Sequence, residues 1–278
     1  MTAFGGATVG EALDSAVIAI GAAGSPTPQL DAEILLAAVL GVDRTALFVD
    51  PGREVVGPAV RAFQDCVRRR SVEREPVAYI VGRRGFRHVE LAVDARVLVP
   101  RPETELLVEV GLSFAPRARV VDVGTGSGAV ALALKAERPD LTVVGTDVSA
   151  GALAVARANG AQLGLDVEFV EGDLLAGIEQ CDGVLCNPPY VCDAERAGLA
   201  PEIVRHEPPG ALFAGQDGLD VIRRLVPAAA GVAPLLAVEV GSGQAPAVAE
   251  LMASAGYTDV SVRRDLAGIE RVVAGRRA

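Results

Sequence analysis

Asp122-Val123-Gly124-Thr125-Gly126-Ser127-Gly128 decides the fold, because of what stands on either side of it. The apolar residues 120–123 read as a buried strand, and the chain from Ala129 onward reads as a helix. A strand that enters a helix through three glycines leaves no side chains between the backbone and a ligand, and it turns the helix's free N–H groups toward the loop. Asp147 closes the next strand, residues 141–146. An acid there accepts hydrogen bonds from both hydroxyls of a ribose, so the pair points to an adenosine-type ligand. The spacing is GxGxG rather than the GxGxxG that seats a pyrophosphate on a helix N-terminus. The methionyl part of S-adenosylmethionine suits Gly124, Thr125, Gly126, Ser127 and Gly128 better, although the loop alone leaves a dinucleotide open. Asp173, after a third strand at 167–170, is placed to hold the adenine edge, with Leu174 covering its face.

Working outward, strands and helices alternate from Arg119 to the end, with further strands at 183–186 and 235–240. Two last strands at 260–262 and 271–274, joined tightly through Gly268, read as an antiparallel edge pair. This pattern predicts an open, mostly parallel α/β sheet covered on both faces, its first five strands in the order 3-2-1-4-5. Upstream the signals are helical. Val9, Leu13, Val17 and Ile20 recur at helical spacing, a second helix spans 29–40 and stops at Gly41, and a third periodic stretch covers 58–70. Residues 86–93 and 97–99 alternate and suit a β-hairpin or an extended linker. The expected organisation is a helical domain over 1–75, a hairpin linker over 76–100 and the α/β domain over 101–278.

The formal charge is -10, from 26 basic and 36 acidic residues, a poor match to bare nucleic acid, which draws its affinity from lysine and arginine. The arginine-rich runs at 68–70 and 83–87 read as solvated faces. No apolar run approaches the ~20 residues of a membrane span. The first six residues lack the basic and apolar regions of a leader, so a cytoplasmic, membrane-free protein is expected. Cys66, Cys181, Cys186 and Cys192 have no CxxC spacing and no neighbouring histidine, which predicts reduced thiols and no metal.

A second motif, Asn187-Pro188-Pro189-Tyr190, follows the fourth strand, next to the first in the predicted order, so both loops border one crevice. Pro188 and Pro189 fix φ and remove two backbone donors, leaving carbonyl acceptors beside the Asn187 carboxamide. That set suits a planar nitrogen. An amide NH2 is a feeble nucleophile, and acceptors on both its hydrogens turn its lone pair toward an electrophilic methyl. Those contacts strengthen as the nitrogen becomes positive, each worth on the order of 3 kcal/mol in the transition state. Tyr190 is expected to lay its ring on the amide and exclude water. The same loop would serve an exocyclic adenine amine, but base flipping needs a basic, aromatic-rich groove, and this chain has no tryptophan. A nicotinamide-dependent oxidoreductase would leave Asn187–Tyr190 unused, and a non-catalytic cofactor-binding scaffold is a third possibility.

With these residues in hand, the chain resembles the release factor glutamine methyltransferases, the PrmC/HemK family, over nearly its whole length. The resemblance also rests on Arg68-Arg69-Arg70, Glu75-Pro76-Val77-Ala78-Tyr79-Ile80, Pro100-Arg101-Pro102-Glu103-Thr104-Glu105, Val204-Arg205-His206-Glu207-Pro208, Arg264-Asp265 and Glu270-Arg271. It implies a class I seven-stranded Rossmann-like methyltransferase domain behind a substrate-engaging helical bundle. It implies transfer of a methyl group from S-adenosylmethionine to N5 of the glutamine in the Gly-Gly-Gln loop of class I peptide chain release factors, with S-adenosylhomocysteine as product. By position, Gly124 to Gly128, Asp147, Asp173, Leu174 and Asn187 would meet the cofactor and Asn187 to Tyr190 the glutamine. Asn187, Pro188 and Tyr190 would carry the catalysis of an enzyme that modulates translation termination as a monomer. Leu174 stands where some relatives carry an aromatic residue, which leaves adenine stacking open. A ribosomal-protein glutamine substrate fits the same chemistry. The block Arg101 to Glu105 reads either as a helix start, with Pro102 in the first turn, or as the lip of the cofactor cavity.

Overall fold

The computed structural model describes residues 7–277; the six leading residues weighed for a leader lie outside them. Helices α1 (Val9–Ala22), α2 (Pro28–Leu40), α3 (Ala46–Val49), α4 (Pro58–Arg68) and α5 (Val77–Val81) come first, followed by strands β1 (Arg83–Phe86) and β2 (Val89–Ala92) and helix α6 (Glu105–Gly111). The alternation then runs β3 (Arg119–Val123), α7 (Ala129–Glu137), β4 (Thr142–Asp147), α8 (Ala150–Leu163), β5 (Glu168–Glu171), β6 (Gly183–Cys186), α9 (Pro201–His206), α10 (Asp220–Val232), β7 (Leu235–Glu239), α11 (Ala245–Ser254), β8 (Ser261–Arg264) and β9 (Glu270–Arg276). The chain forms two compact units: one holds the residues up to Gly82 together with Ala200–His206, the other Arg83–Leu199 and Glu207 onward.

In the helical unit, α1 starts on a capping box. Thr8 Oγ1 accepts from the Glu11 N–H at 3.2 Å, and the Glu11 carboxylate accepts from the Thr8 N–H at 2.8 Å. Helix α2 has Pro28 in its first turn and ends at Gly41 with φ 63. Leu13, Ile20, Leu35, Leu36 and Phe63 fill the core between these helices, each full burial worth roughly 1.5–3 kcal/mol before entropy is counted. The arginines at 68–70 are not a uniform solvated face. After α4 the chain makes a π-helical turn (Arg69–Glu73), which shifts the residues that follow around the axis. Arg70, within this turn, is buried at 6% side-chain exposure. Its Nε donates to Asp31 Oδ2 at 2.7 Å, Nη1 to Glu202 Oε1 at 3.2 Å and Nη2 to Ser25 Oγ at 3.1 Å. Arg74 Nη2 donates to the other oxygen of Glu202 at 2.6 Å. Glu202 lies in α9, so this short segment is tied to the helical unit by charge.

The second unit is built on a seven-stranded sheet in the order β5-β4-β3-β6-β7-β9-β8. Its first five members in sequence stand in the predicted order and pair in parallel. The last two form the predicted antiparallel pair, with β9 also antiparallel to β7 and β8 at the edge. Side chains alternate between faces as the strand pleat requires: Val120 enters one core with Leu107, Leu132 and Leu153, and Val121 enters the other with Val184, Ile222 and Val238. The hairpin is shorter than the alternation suggests and starts earlier. Phe86 pairs with Val89 around a two-residue turn at Arg87-His88, Arg87 adopting φ 48, and residues 97–99 form no strand. Phe86, Val89 and Leu91 pack into the same core as α7 and α8, so the hairpin is covered by the sheet's own helices. Among the described residues no helix is long and apolar enough to cross a membrane.

Candidate active site

The glycine loop and the Asn187 loop open onto one cavity of about 560 Å³ at the carboxyl ends of β3, β4 and β6, within the range of about 300–1,000 Å³ usual for ligand pockets. An atom placed at the Cβ position of Gly124 would stand 3.9 Å from the Asn187 carbonyl oxygen, so the two loops flank the same space. Gly124, Thr125, Gly126, Ser127, Asp147, Asp173, Leu174, Asn187, Pro188 and Pro189 all line it. Gly128 and Tyr190 do not line the cavity directly.

Gly124, Gly126 and Gly128 have φ of 69, 57 and 83, a region L side chains rarely enter. Gly128 is constrained twice, since a Cβ there would come 2.8 Å from Leu132 Cδ1. The loop is tied down from both sides. Gly126 N–H donates to Asp147 Oδ2 at 3.0 Å, Ser149 N–H to Asp147 Oδ1 at 2.9 Å, and the Thr125 hydroxyl to Asp122 Oδ2 at 2.6 Å. Asp122 also accepts the Ala131 N–H at 3.2 Å, and its burial pushes its carboxyl up to about 7. Buried Asn159 holds the back of the loop, its Nδ2 donating to Ser127 O at 2.9 Å while its Oδ1 accepts the Ala92 N–H at 2.8 Å.

These groups fit an adenosine ligand with a charged tail. Each Asp147 oxygen has one backbone donor and keeps acceptor capacity for a hydroxyl. Leu174 takes φ 55 and is fixed by the Thr146 hydroxyl, which donates to its carbonyl at 2.9 Å, and it lines the cavity as an aliphatic wall. Asp173 lies at the cavity with its carboxylate paired to Arg224 of α10, so a ligand would meet an ion pair there.

On the opposite wall, Asn187 Nδ2 donates to Thr104 Oγ1 at 3.0 Å. Thr104 is 4% exposed and belongs to a 3-10 turn (Pro102–Thr104) that precedes α6. Within the block Arg101 to Glu105, Glu105 starts α6 and Thr104 lines the cavity. Arg101 Nη2 donates to Glu207 Oε1 at 2.6 Å, beside Pro208, Gly210 and Ala211 of the cavity wall. Tyr190 donates its hydroxyl to Glu239 Oε1 at 3.2 Å, and its carbonyl accepts from Gln244 Nε2 at 2.9 Å. Burial raises the Tyr190 hydroxyl far above the phenol range. Glu239, at the end of β7, is 1% exposed and pushed up to about 7, mainly by burial.

Sequence reasoning missed Glu239, Asn159 and Gln244, and it named Thr104 only within the block Arg101 to Glu105, without its bond to Asn187. An acid inside the apolar run 235–240 was a readable signal for Glu239; Asn159 and Gln244 have no local pattern that marks them.

Comparison with known proteins agrees with this architecture. Residues 11–82 match the PrmC N-terminal domain family and residues 102–215 the methyltransferase small domain family. A methyltransferase from Pyrococcus furiosus superposes with a TM-score of 0.52 at 16% identity, covering 68% of this chain and 88% of that one, a likeness of fold. The release factor glutamine methyltransferase of Deinococcus radiodurans is 47% identical over 263 residues, covering 92% of this chain and 94% of the relative. That of Koribacter versatilis is 40% identical, covering 97% and 99%. Relatives this similar over nearly their full length leave one assignment: the chain is a methyltransferase belonging to the release factor glutamine methyltransferase family.

Proposed function

We propose that this protein methylates N5 of the glutamine in the Gly-Gly-Gln loop of class I peptide chain release factors, using S-adenosylmethionine, as a cytoplasmic monomer acting on translation termination. The observation that carries this reading is the Asn187 carboxamide: its NH2 end is held by Thr104 on the wall of the cavity that the glycine loop borders. With the nitrogen engaged, Oδ1 is the end left to accept a hydrogen from an incoming amide. The relatives' names supply the substrate class.

S-adenosylmethionine, when bound, supplies the sulfonium methyl that is transferred. Asp147 would hold its ribose, Gly124 to Ser127 its methionyl part, and Leu174 and Asp173 its base, with Gly128 setting the loop's turn. Asn187 Oδ1 and the Pro188 carbonyl would accept the two hydrogens of the glutamine NH2, raising the nitrogen's lone pair out of conjugation as it attacks. Pro189 and Tyr190 would keep this loop rigid, Tyr190 through its bond to Glu239. No base is required before attack; the nitrogen becomes cationic as it takes the methyl group and then loses one proton to solvent. The helical unit up to Gly82 would engage the body of the release factor.

The test is to incubate purified protein with methyl-labelled S-adenosylmethionine and a release factor and locate the label by mass spectrometry. Label is expected on the Gly-Gly-Gln glutamine and lost when that residue is changed. Label on a ribosomal protein or an adenine instead, or on nothing, refutes the assignment.

A further inference from the structure

We infer that Arg101 is a positioning residue which, by holding Glu207, fixes the turn Pro209–Ala211 as the substrate-side rim of the cavity and so limits the bulk accepted beside the target glutamine. The inference rests on the reading of Asn187 as the acceptor for the substrate amide, and deepens it. The bond between Arg101 and Glu207 brings together two blocks singled out in the sequence, Arg101 to Glu105 and Val204 to Pro208, across 106 positions of chain.

Both ends of the turn are tied to the segments that hold Asn187. At one end, Arg101 Nη2 donates to Glu207 Oε1 at 2.6 Å, the Glu207 side chain being 2% exposed and that of Arg101 30%. The Arg101 carbonyl accepts the Thr104 N–H at 3.2 Å, and Thr104 Oγ1 accepts from Asn187 Nδ2 at 3.0 Å. At the other end, the Val191 N–H donates to Leu212 O at 2.8 Å and the Ala214 N–H to Val191 O at 3.0 Å, directly after Tyr190. The turn between these ties is stiff in itself. Pro208 and Pro209 have restricted φ, the Ala211 N–H donates to Pro208 O at 3.0 Å, and the Leu212 N–H donates to Pro209 O at 3.1 Å.

Pro208, Gly210 and Ala211 line the cavity from this turn, and Pro100 and Thr104 line it from the segment that carries Arg101. Gly210 is exposed, and a Cβ there would meet nothing within 4 Å, so the turn stands at the mouth and not inside a packed wall. The ion pair keeps this edge from yielding, since a charge-assisted bond is roughly twice as strong as a neutral one. A rim that cannot retreat discriminates by volume. A glutamine side chain that reaches Asn187 leaves its neighbours in sequence at the mouth, where a Cβ meets the rim and a glycine does not. One methyl group refused by a fixed wall is worth about tenfold or more in kcat/KM.

The experiment compares wild type, Glu207→Gln, Arg101→Ala, the double variant and Gly210→Leu, alongside Asn187→Ala. Each is assayed for cofactor affinity by calorimetry and for kcat/KM on two release factors, one carrying Gly-Gly-Gln and one Gly-Ala-Gln. Wild type should favour Gly-Gly-Gln by about tenfold or more. Glu207→Gln and Arg101→Ala should each narrow that preference to about threefold, and the double variant no further, because all three cut the same bond. Cofactor affinity should stay within about twofold throughout this set. Gly210→Leu adds bulk where the fold has room, and should lower kcat/KM on both release factors about tenfold with cofactor affinity again within about twofold. A preference absent in wild type, unchanged in Glu207→Gln and Arg101→Ala, or narrowed additively in the double variant overturns the positioning role. So does a loss of cofactor affinity in Gly210→Leu equal to its loss of kcat/KM, which would make the turn a wall for the cofactor. Full turnover in Asn187→Ala overturns the acceptor reading beneath it, a distinguishable failure.

Discussion

Replacing Asn187 with alanine tests the chemistry at its centre. The substitution removes the acceptor Oδ1 and leaves the Thr104 hydroxyl without its 3.0 Å partner. Loss of one neutral hydrogen bond costs about 1 kcal/mol of stability, so the protein should remain folded. An acceptor that strengthens as charge develops on the substrate nitrogen is worth about 3 kcal/mol in the transition state, which converts to a fall in kcat of about 10²-fold. Asp147 and the glycine loop, which carry most of the contacts assigned to the cofactor, are untouched, so cofactor affinity should change by no more than about threefold, or ~0.7 kcal/mol. The assay is single-turnover methylation of a saturating release factor with cofactor pre-bound, paired with calorimetry of the cofactor alone. A kcat within about threefold of wild type would refute the argument. So would an equal loss in cofactor affinity, which would make Asn187 a ground-state ligand.

Gly128→Ala should destabilise the protein by about 2–4 kcal/mol, from its left-handed backbone and a Cβ held 2.8 Å from Leu132 Cδ1; unchanged chemical denaturation would show that the loop relaxes freely. Asp147→Ala should weaken S-adenosylmethionine binding by roughly 10–100-fold, because a charged acceptor and the anchor of Gly126 N–H go together. Calorimetry returning the wild-type affinity would remove Asp147 from the site. Asp122 titrates near 7 against an unfolded value of 3.8, so its stabilising contribution is complete below the lower value and is lost as pH rises through the higher one. Relative to Asp122→Asn, wild-type stability should fall by about 3 kcal/mol between pH 5 and pH 8; parallel pH curves for the two proteins would contradict this.

Much of the sheet was legible because its signals are local. The burial of β6 and β7 shows as continuous apolar runs, and the glycines at 124, 126 and 128 are demanded by backbone angles that few other residues adopt. Gly124 and Asn187 could be brought together on paper because a doubly wound sheet sets the two strands ahead of them side by side at its switch point. What could not be read were partnerships fixed by packing across long stretches of sequence. Thr104 holds Asn187 over 83 positions of chain, Asn159 holds Ala92 over 67, and neither has a periodicity to betray it. Arg70 was misread for a different reason: a charge run usually means solvent, whereas this arginine follows Phe63 and Val67 at helical spacing and is buried against Asp31 and Glu202.

The membership of Ala200–His206 in the helical unit has a practical consequence. No single cut in the polypeptide separates the two halves cleanly. A fragment ending at Gly82 would lack Glu202 and strand Arg70, 6% exposed, with one of its two acids missing. Breaking such a buried pair typically costs about 3–5 kcal/mol, a large share of a small domain's stability. Failure of that fragment to capture a release factor would therefore report unfolding rather than recognition, and chimaeras between relatives must exchange both stretches at once.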